Sequence, residues 1–320
     1  MIWAKRLLAV VVAAGLIVAA VVIRNEVIDG DDPDSADPDP ATTLVCLSEL
    51  AGICDAVRAG RLGIGVRVET AAATTRAWTA DDQRPDEVWL TVAPLPDLVA
   101  AERQRLRLDP LDLGADTVGA SQLVVAVPNA KADALATECD AGGDLDWRCI
   151  GNLTGTPWSD LGGPPGSSVR PAFAPLDTAV GQLGVTQAVL GYFANAPIDA
   201  GDPGLITWAR RLARAVAASA LSGGTPVATV QVRDSALDVA VGFDAEIANA
   251  RRDRLTVLYA APMTRVDLVL ATPRGVTAPG AVVAAIERAA ADAGWTANVP
   301  GTPLTADQVA QAVSVWSQNS

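Results

Sequence analysis

Short apolar runs alternate with amphipathic stretches along most of the chain. Thr43 to Leu47 reads as a strand, and Glu49 to Ala59 as a helix. Gly65 to Glu69 is a second strand, followed by a short helix starting near Thr74 or Thr75. Glu87 to Ala93 (EVWLTVA) is a strand closed by Pro94, and Gln122 to Val127 (QLVVAV) is a buried strand closed by Pro128. Val169 to Ala174 is a further strand candidate. Ala179 to Phe193 carries apolar residues at 180, 183, 185, 189, 190 and 193, which is helical spacing. Leu205 to Ala220 is an amphipathic helix with Arg210, Arg211 and Arg214 on its wet side. Val239 to Phe243, Leu255 to Ala260 and Arg265 to Ala271 are strands, and a helix starts at Asp244. Pro279 to Ala293 and Thr305 to Trp316 are helices, with Thr305 as the cap of the last. Strands alternating with helices predict an α/β fold with mostly parallel sheets.

The N-terminus breaks this pattern. Leu7 to Ile23 contains no charged or hydrogen-bonding side chain. At helical rise it covers about 25 Å, near the lower limit for crossing a bilayer. Lys5 and Arg6 precede it, and Arg24 and an acidic segment follow. The positive-inside rule then puts the N-terminus in the cytoplasm and the rest outside, as a single-pass membrane protein. A cleaved secretory signal would need small residues shortly after the run, and Ala19-Ala20 followed by Val-Val-Ile-Arg is a poor site. Residues 1–25 are therefore expected to be a signal anchor. Residues 26–42, with DGDDPDSADPDPA at their centre, are expected to be an extended acidic linker, because Asp and Pro cannot bury apolar area and like charges repel.

Composition narrows the functional classes. Net charge is −13, and no Lys and Arg cluster is interleaved with aromatics, so nucleic acid is not an expected partner. The chain has no His, which excludes Ser-His-Asp and Cys-His catalysis. The four cysteines fall into two local pairs, Cys46 with Cys54 and Cys139 with Cys149. In an exported chain this reads as two disulfides, the alternative being four buried thiols. Neither pair has zinc-site spacing, so no metal and no cofactor are expected. Sparse Lys with abundant Ala, Val, Arg and Asp suggests a GC-rich bacterial source.

Several segments together resemble the type 2 periplasmic solute-binding proteins. These are LVCLSELAGICDAV, DEVWLTVAP, ASQLVVAVP, LDTAVGQLGVTQAVLGYF and VLYAAPMTRVDLVLATP. The resemblance implies two α/β lobes around a ligand cleft. Lobe one would hold about residues 43–121 and 260–320, and lobe two about 122–259. More narrowly, the chain resembles solute-binding-like domains of actinobacterial envelope proteins, some of which accompany von Willebrand factor A domains. It has no DxSxS metal motif of its own.

Ligands of open α/β sheets sit beyond the carboxyl ends of strands, near helix N-termini with unpaired N–H groups. That rule selects Ser48 and Glu49, then Thr70, Thr74 and Thr75, then Pro94, Ser121, Gln122, Asp177, Thr178 and Asp244. Ser48, Thr75, Asp177, Thr178 and Asp244 could equally be helix caps. Trp78 and Trp89 fit core packing better than ligand stacking. Gly162 to Ser168 (GGPPGSS) lacks the lysine and following helix of a phosphate loop and reads as a flexible turn. The expected function is a membrane-anchored extracytoplasmic protein that captures or senses a small solute between its lobes. The alternative is an envelope protein–protein interaction module with a degenerate cleft. A carboxylate hydrolase is the weakest reading, so no enzyme is expected.

Overall fold

The computed structural model describes residues 42–80, 87–217, 225–232, 237–249 and 253–319. The apolar run at 7–23 and the acidic linker lie outside the described residues. Among those described, no helix is long and apolar enough to cross a membrane.

Strand β1 (Thr43–Leu47) leads through a 3-10 turn (Ser48–Leu50) into α1 (Ala51–Ala59). Strand β2 (Gly65–Glu69) leads into α2 (Ala71–Thr79), and β3 (Glu87–Val92) into α3 (Leu95–Leu106). The long β4 (Leu113–Pro128) is followed by α4 (Asn129–Cys139), β5 (Leu145–Asp146), α5 (Trp147–Leu153) and β6 (Pro171–Ala172). Then come α6 (Ala179–Tyr192), α7 (Pro203–Ala217), α8 (Pro226–Val232), β7 (Val239–Phe243) and α9 (Asp244–Asn249). Strands β8 (Leu255–Leu258), β9 (Ala260–Ala261) and β10 (Thr264–Pro273), helix α10 (Gly280–Asp292), β11 (Thr302–Pro303) and α11 (Ala306–Asn319) complete the chain.

The main sheet has nine strands, with the path β2-β1-β3-β10-β4-β7-β6. It is mixed, which corrects the expectation of mostly parallel sheets. Strand β1 is parallel to β2 and β3, and β6 is parallel to β7. The centre is antiparallel: β10 runs against both β3 and β4, and β4 runs against β7 and β8. The βαβ repeats that predict parallel pairing govern only the flanks. The two longest strands, β4 and β10, pair antiparallel over ten residues at the centre of the sheet.

Side-chain alternation on β4 divides the core. Leu123, Val125 and Val127 join the main cluster, while Val124 and Ala126 face a smaller one with Val227, Val230 and Ile247. The main cluster is continuous from β1 to β7. Its aromatic content is internal: Trp78 stacks on Trp89 at 6.4 Å, and Trp316 of α11 meets Phe173 at 5.3 Å and Trp208 at 6.4 Å. Helix α11 thereby packs on α6 and α7 as well as on α3. Burying each such ring contributes roughly 1.5–3 kcal/mol.

Both expected disulfides form, with Cα separations of 6.5 Å for Cys46–Cys54 and 5.5 Å for Cys139–Cys149. Two buried cations are also provided for. Arg103 donates to the carbonyls of Trp78 (2.8 Å), Asp109 (2.9 Å) and Ala80 (3.1 Å). Lys131 pairs with the fully buried Asp238. Burial pushes the Asp238 carboxyl above its usual range, and Lys131 opposes that shift.

Candidate functional site

The site lies where the carboxyl ends of β1 and β2 meet the N-terminus of α6. After β1 the chain turns tightly, and Cys46–Cys54 closes the loop that carries Ser48 and Glu49. The Ser48 hydroxyl donates to Glu49 Oε2 at 2.7 Å. Glu49 Oε1 accepts from the backbone N–H of Val180 at 3.1 Å, 131 residues away. A carboxylate at a helix N-terminus meets an unpaired N–H and the positive end of the helix dipole. Beside it, Ala72 N–H at the head of α2 donates to the Asp177 carbonyl at 3.0 Å. Two hydrogen bonds thus join the two halves of the sheet across this point.

Thr178 is the α6 cap. Its hydroxyl accepts from Gly181 N–H at 3.1 Å and donates to the Pro175 carbonyl at 2.6 Å. Gly181 is needed there, because a Cβ would run into the backbone of Ala174 and Pro175. Ser48, Glu49, Asp177 and Thr178 are therefore brought together.

A second group gathers at the head of α9. The buried Ser121 Oγ accepts from Ala245 N–H at 3.0 Å, next to Asp244, the first residue of that helix. Glu246, in the same first turn, accepts from the Thr225 hydroxyl. Burial raises the Glu246 carboxyl above its ordinary value, the Thr225 hydrogen bond opposes this, and the charge of Glu49 raises it further. Gln122 is buried beside Ser121, and its Nε2 has no hydrogen-bond partner.

The remaining predicted residues stand apart. Helix α2 starts at Ala71, and its cap is Thr70, which accepts from Ala73 N–H at 3.2 Å. Thr75 is therefore inside the helix and is not a cap. Thr74 is buried, with its hydroxyl directed to Glu69 Oε2 and the Thr70 carbonyl, both at 3.2 Å. Pro94 sits at the head of α3. Glu246 was missed by sequence reasoning, although the rule that selected Asp244 reaches it two residues later. The N–H groups of Val180 and Ala72 carry no side-chain signal.

The site offers carboxylate and carbonyl acceptors, with Glu49, Asp177, Asp244 and Glu246 as its acidic side chains. Such a set suits a neutral or cationic group that donates hydrogen bonds. Among the described residues, no cluster of three or more His, Cys, Asp or Glu could hold a metal ion.

No sequence-family model and no curated protein sequence matches the chain. Among solved structures it is similar to a periplasmic thiamin binding protein, with 12% identity and a TM-score of 0.57 over 90% of this chain and 98% of that one. It is similar to apo FutA2 from Synechocystis PCC6803, with 10% identity and a TM-score of 0.50 over 87% and 98% of the two chains. The fold is that of the type 2 periplasmic solute-binding proteins. The sulfate-binding protein SubI from Mycobacterium tuberculosis H37Rv is similar at 17% identity and a TM-score of 0.48, over 87% of this chain and 98% of that one.

Proposed function

We propose that the chain is a membrane-tethered extracytoplasmic binding domain that takes a small neutral or cationic solute between two lobes. Lobe one comprises about residues 43–121 and 260–320, and lobe two about 122–259. Residues 7–23 form the tether, and the acidic linker sets the domain a short distance from the bilayer. The reading is carried by Glu49, whose carboxylate reaches from the turn after β1 onto the N-terminus of α6, 131 residues away. A donor group on the solute would bind the remaining lone pairs of Glu49 and tighten the bridge between the halves. Proteins of this fold include one named for binding thiamin, which fits capture of a small molecule.

A thermal-shift screen of the full chain in neutral detergent tests this, because a ligand that binds only the native state raises the melting temperature. Amines, amino acids or sugars should raise it, and Glu49→Gln should abolish the cationic response. If only oxyanions shift the melting temperature, or Glu49→Gln changes nothing, the cleft reading is wrong.

A second reading is an envelope interaction module whose partner is another envelope protein, such as a von Willebrand factor A protein. The observation favouring it is that α11 packs across α3, α6 and α7 while Glu49 already occupies the α6 N-terminus. A stable pulled-down partner without any solute response would select it.

A further inference from the structure

Helix α7 is built from two unlike faces. Leu205, Trp208, Ala209 and Leu212 are buried. Trp208 Nε1 donates to the Trp147 carbonyl at 3.1 Å, and its ring lies over Gly151, where a Cβ would collide with the indole. That contact fixes α7 against α5 and sets the rotation of the helix. The opposite face then carries Thr207, Arg210, Arg211 and Arg214, with the spacing of one stripe. Arg210 and Arg214 are four residues apart and no acidic residue lies within α7, so their like charges repel along the helix.

This stripe forms one wall of a cavity of about 530 Å³. The other wall is the turn after α5, with Thr154, and the segment entering β6, with Ser168 and Arg170. Four arginines and three hydroxyl-bearing residues are thus among its lining residues, and among the described residues no carboxylate lines it. In a chain of net charge −13 this is a concentrated reversal of sign. Arg211 donates to the Asn152 carbonyl at 3.1 Å, which braces it against the far wall. Arg210 and Arg214 make no hydrogen bond or ion pair among the described residues. Arg170 is partly buried, and its charge also acts on Asp238, which Lys131 balances. The Thr154 and Thr207 hydroxyls donate to the carbonyls of Ile150 (3.2 Å) and Pro203 (2.9 Å), leaving their oxygens as acceptors. The charged groups among its described lining residues are therefore all donors.

We propose that this cavity is a second ligand site, separate from the cleft, that takes a diphosphate group. Planar guanidinium forks match phosphoryl oxygens two at a time, so four arginines suit two adjacent phosphoryl groups better than one. The volume falls within the ordinary range of small-molecule sites and leaves room for a substituent beyond the diphosphate. The inference rests on α7 and its facing wall, and stands whether or not the cleft binds a solute. A free diphosphate ester and the diphosphate headgroup of a lipid share the chemistry recognised here.

The test is calorimetric titration of the full chain in neutral detergent with inorganic pyrophosphate. Saturable binding is expected, with affinity falling as salt rises. The double variant Arg210→Gln and Arg214→Gln should weaken it at least about tenfold, since each exposed arginine supplies charge-assisted bonds. Both side chains are exposed, so the melting temperature of this variant should match that of the parent. Glu49→Gln should leave pyrophosphate affinity unchanged. Absence of saturable binding, an unaltered affinity in the double arginine variant, or an equal loss in Glu49→Gln would each overturn the proposal. Phosphatidylcholine vesicles with and without geranylgeranyl diphosphate separate the two sources. Selective capture on the doped vesicles assigns the lipid headgroup, and binding of pyrophosphate alone assigns the free ester.

Discussion

At the cleft, the polar side chains already serve one another: Glu49 accepts from Ser48 and Val180, and the Thr178 hydroxyl both donates and accepts. At the arginine-lined cavity, Arg210 and Arg214 have no such partners among the described residues. The first site spans the two halves of the sheet and is acidic. The second lies within one half and is basic. A ligand at the cleft must share or displace internal hydrogen bonds, so its net affinity reflects differences between similar interactions. A ligand at the cavity meets the exposed guanidinium groups of Arg210 and Arg214 and relieves their mutual repulsion. The cleft is therefore suited to selectivity and the cavity to charge.

Three perturbations separate the two sites. The largest effect is expected from Lys131→Met, which leaves the buried Asp238 carboxylate without its partner. A loss of about 3–5 kcal/mol is expected, read from urea unfolding. Arg170, whose charge also acts on Asp238, is then drawn to it, so pyrophosphate affinity should fall in whatever remains folded while Glu49-dependent shifts persist. If stability is unchanged, Asp238 is not charged in the native protein.

Next come the disulfides. Removing either pair as serines should cost about 2–3 kcal/mol, because each closes a short loop. The ligand effects should diverge. Cys46→Ser with Cys54→Ser frees the loop bearing Glu49 and should blunt the cleft response. Cys139→Ser with Cys149→Ser loosens α5 and should blunt pyrophosphate binding. Equal effects of both pairs on both ligands would mean that the sites are not independent.

The smallest effect concerns Glu246. Its carboxyl is raised in the folded state, chiefly by burial, so the native protein holds this proton more tightly than the unfolded chain does. Stability should therefore decline as pH rises from the ordinary value of 4.5 through the raised folded value, and level off above it. Glu246→Gln should flatten that slope in urea midpoints taken over about pH 4 to 8. An unchanged slope would place the titration elsewhere.

Much of this architecture was legible in the sequence. Strands at 43–47, 65–69 and 239–243 and the helix from Ala179 follow directly from apolar spacing. Four helices escaped it; one of them begins at a proline and two directly follow one. Pro94 and Pro128 read as the ends of strands, yet they stand at the heads of α3 and α4, and Pro226 opens α8. A residue with no N–H and a fixed φ closes a strand and opens a helix equally well. The first part of β4 was missed because Leu113–Val118 is largely exposed and its polar residues break the apolar run. Val169–Ala174 shrank to the two-residue β6, since its neighbours pack as buried coil. At the site, Glu49 and Thr178 were found because strand ends and helix heads announce themselves locally. The arginine stripe was also visible, but as a wet face. Its opposing wall comes from Thr154, Ser168 and Arg170, more than 35 residues earlier, and no local pattern records that meeting.

The position of β10 has a consequence for how the chain is made. It lies between β3 and β4 at the middle of the sheet, yet it is the tenth strand to be synthesised. Until residue 264 emerges, β3 and β4 each present an unpaired edge, and the nascent protein cannot zip the two halves together. Such late, long-range pairing makes for slow folding and exposes sticky edges while the chain waits. The disulfides close loops with separations of only eight and ten residues, so they can set early, before that strand arrives. Biogenesis of this protein should therefore depend less on oxidation than on protection of the open sheet until β10 is in place.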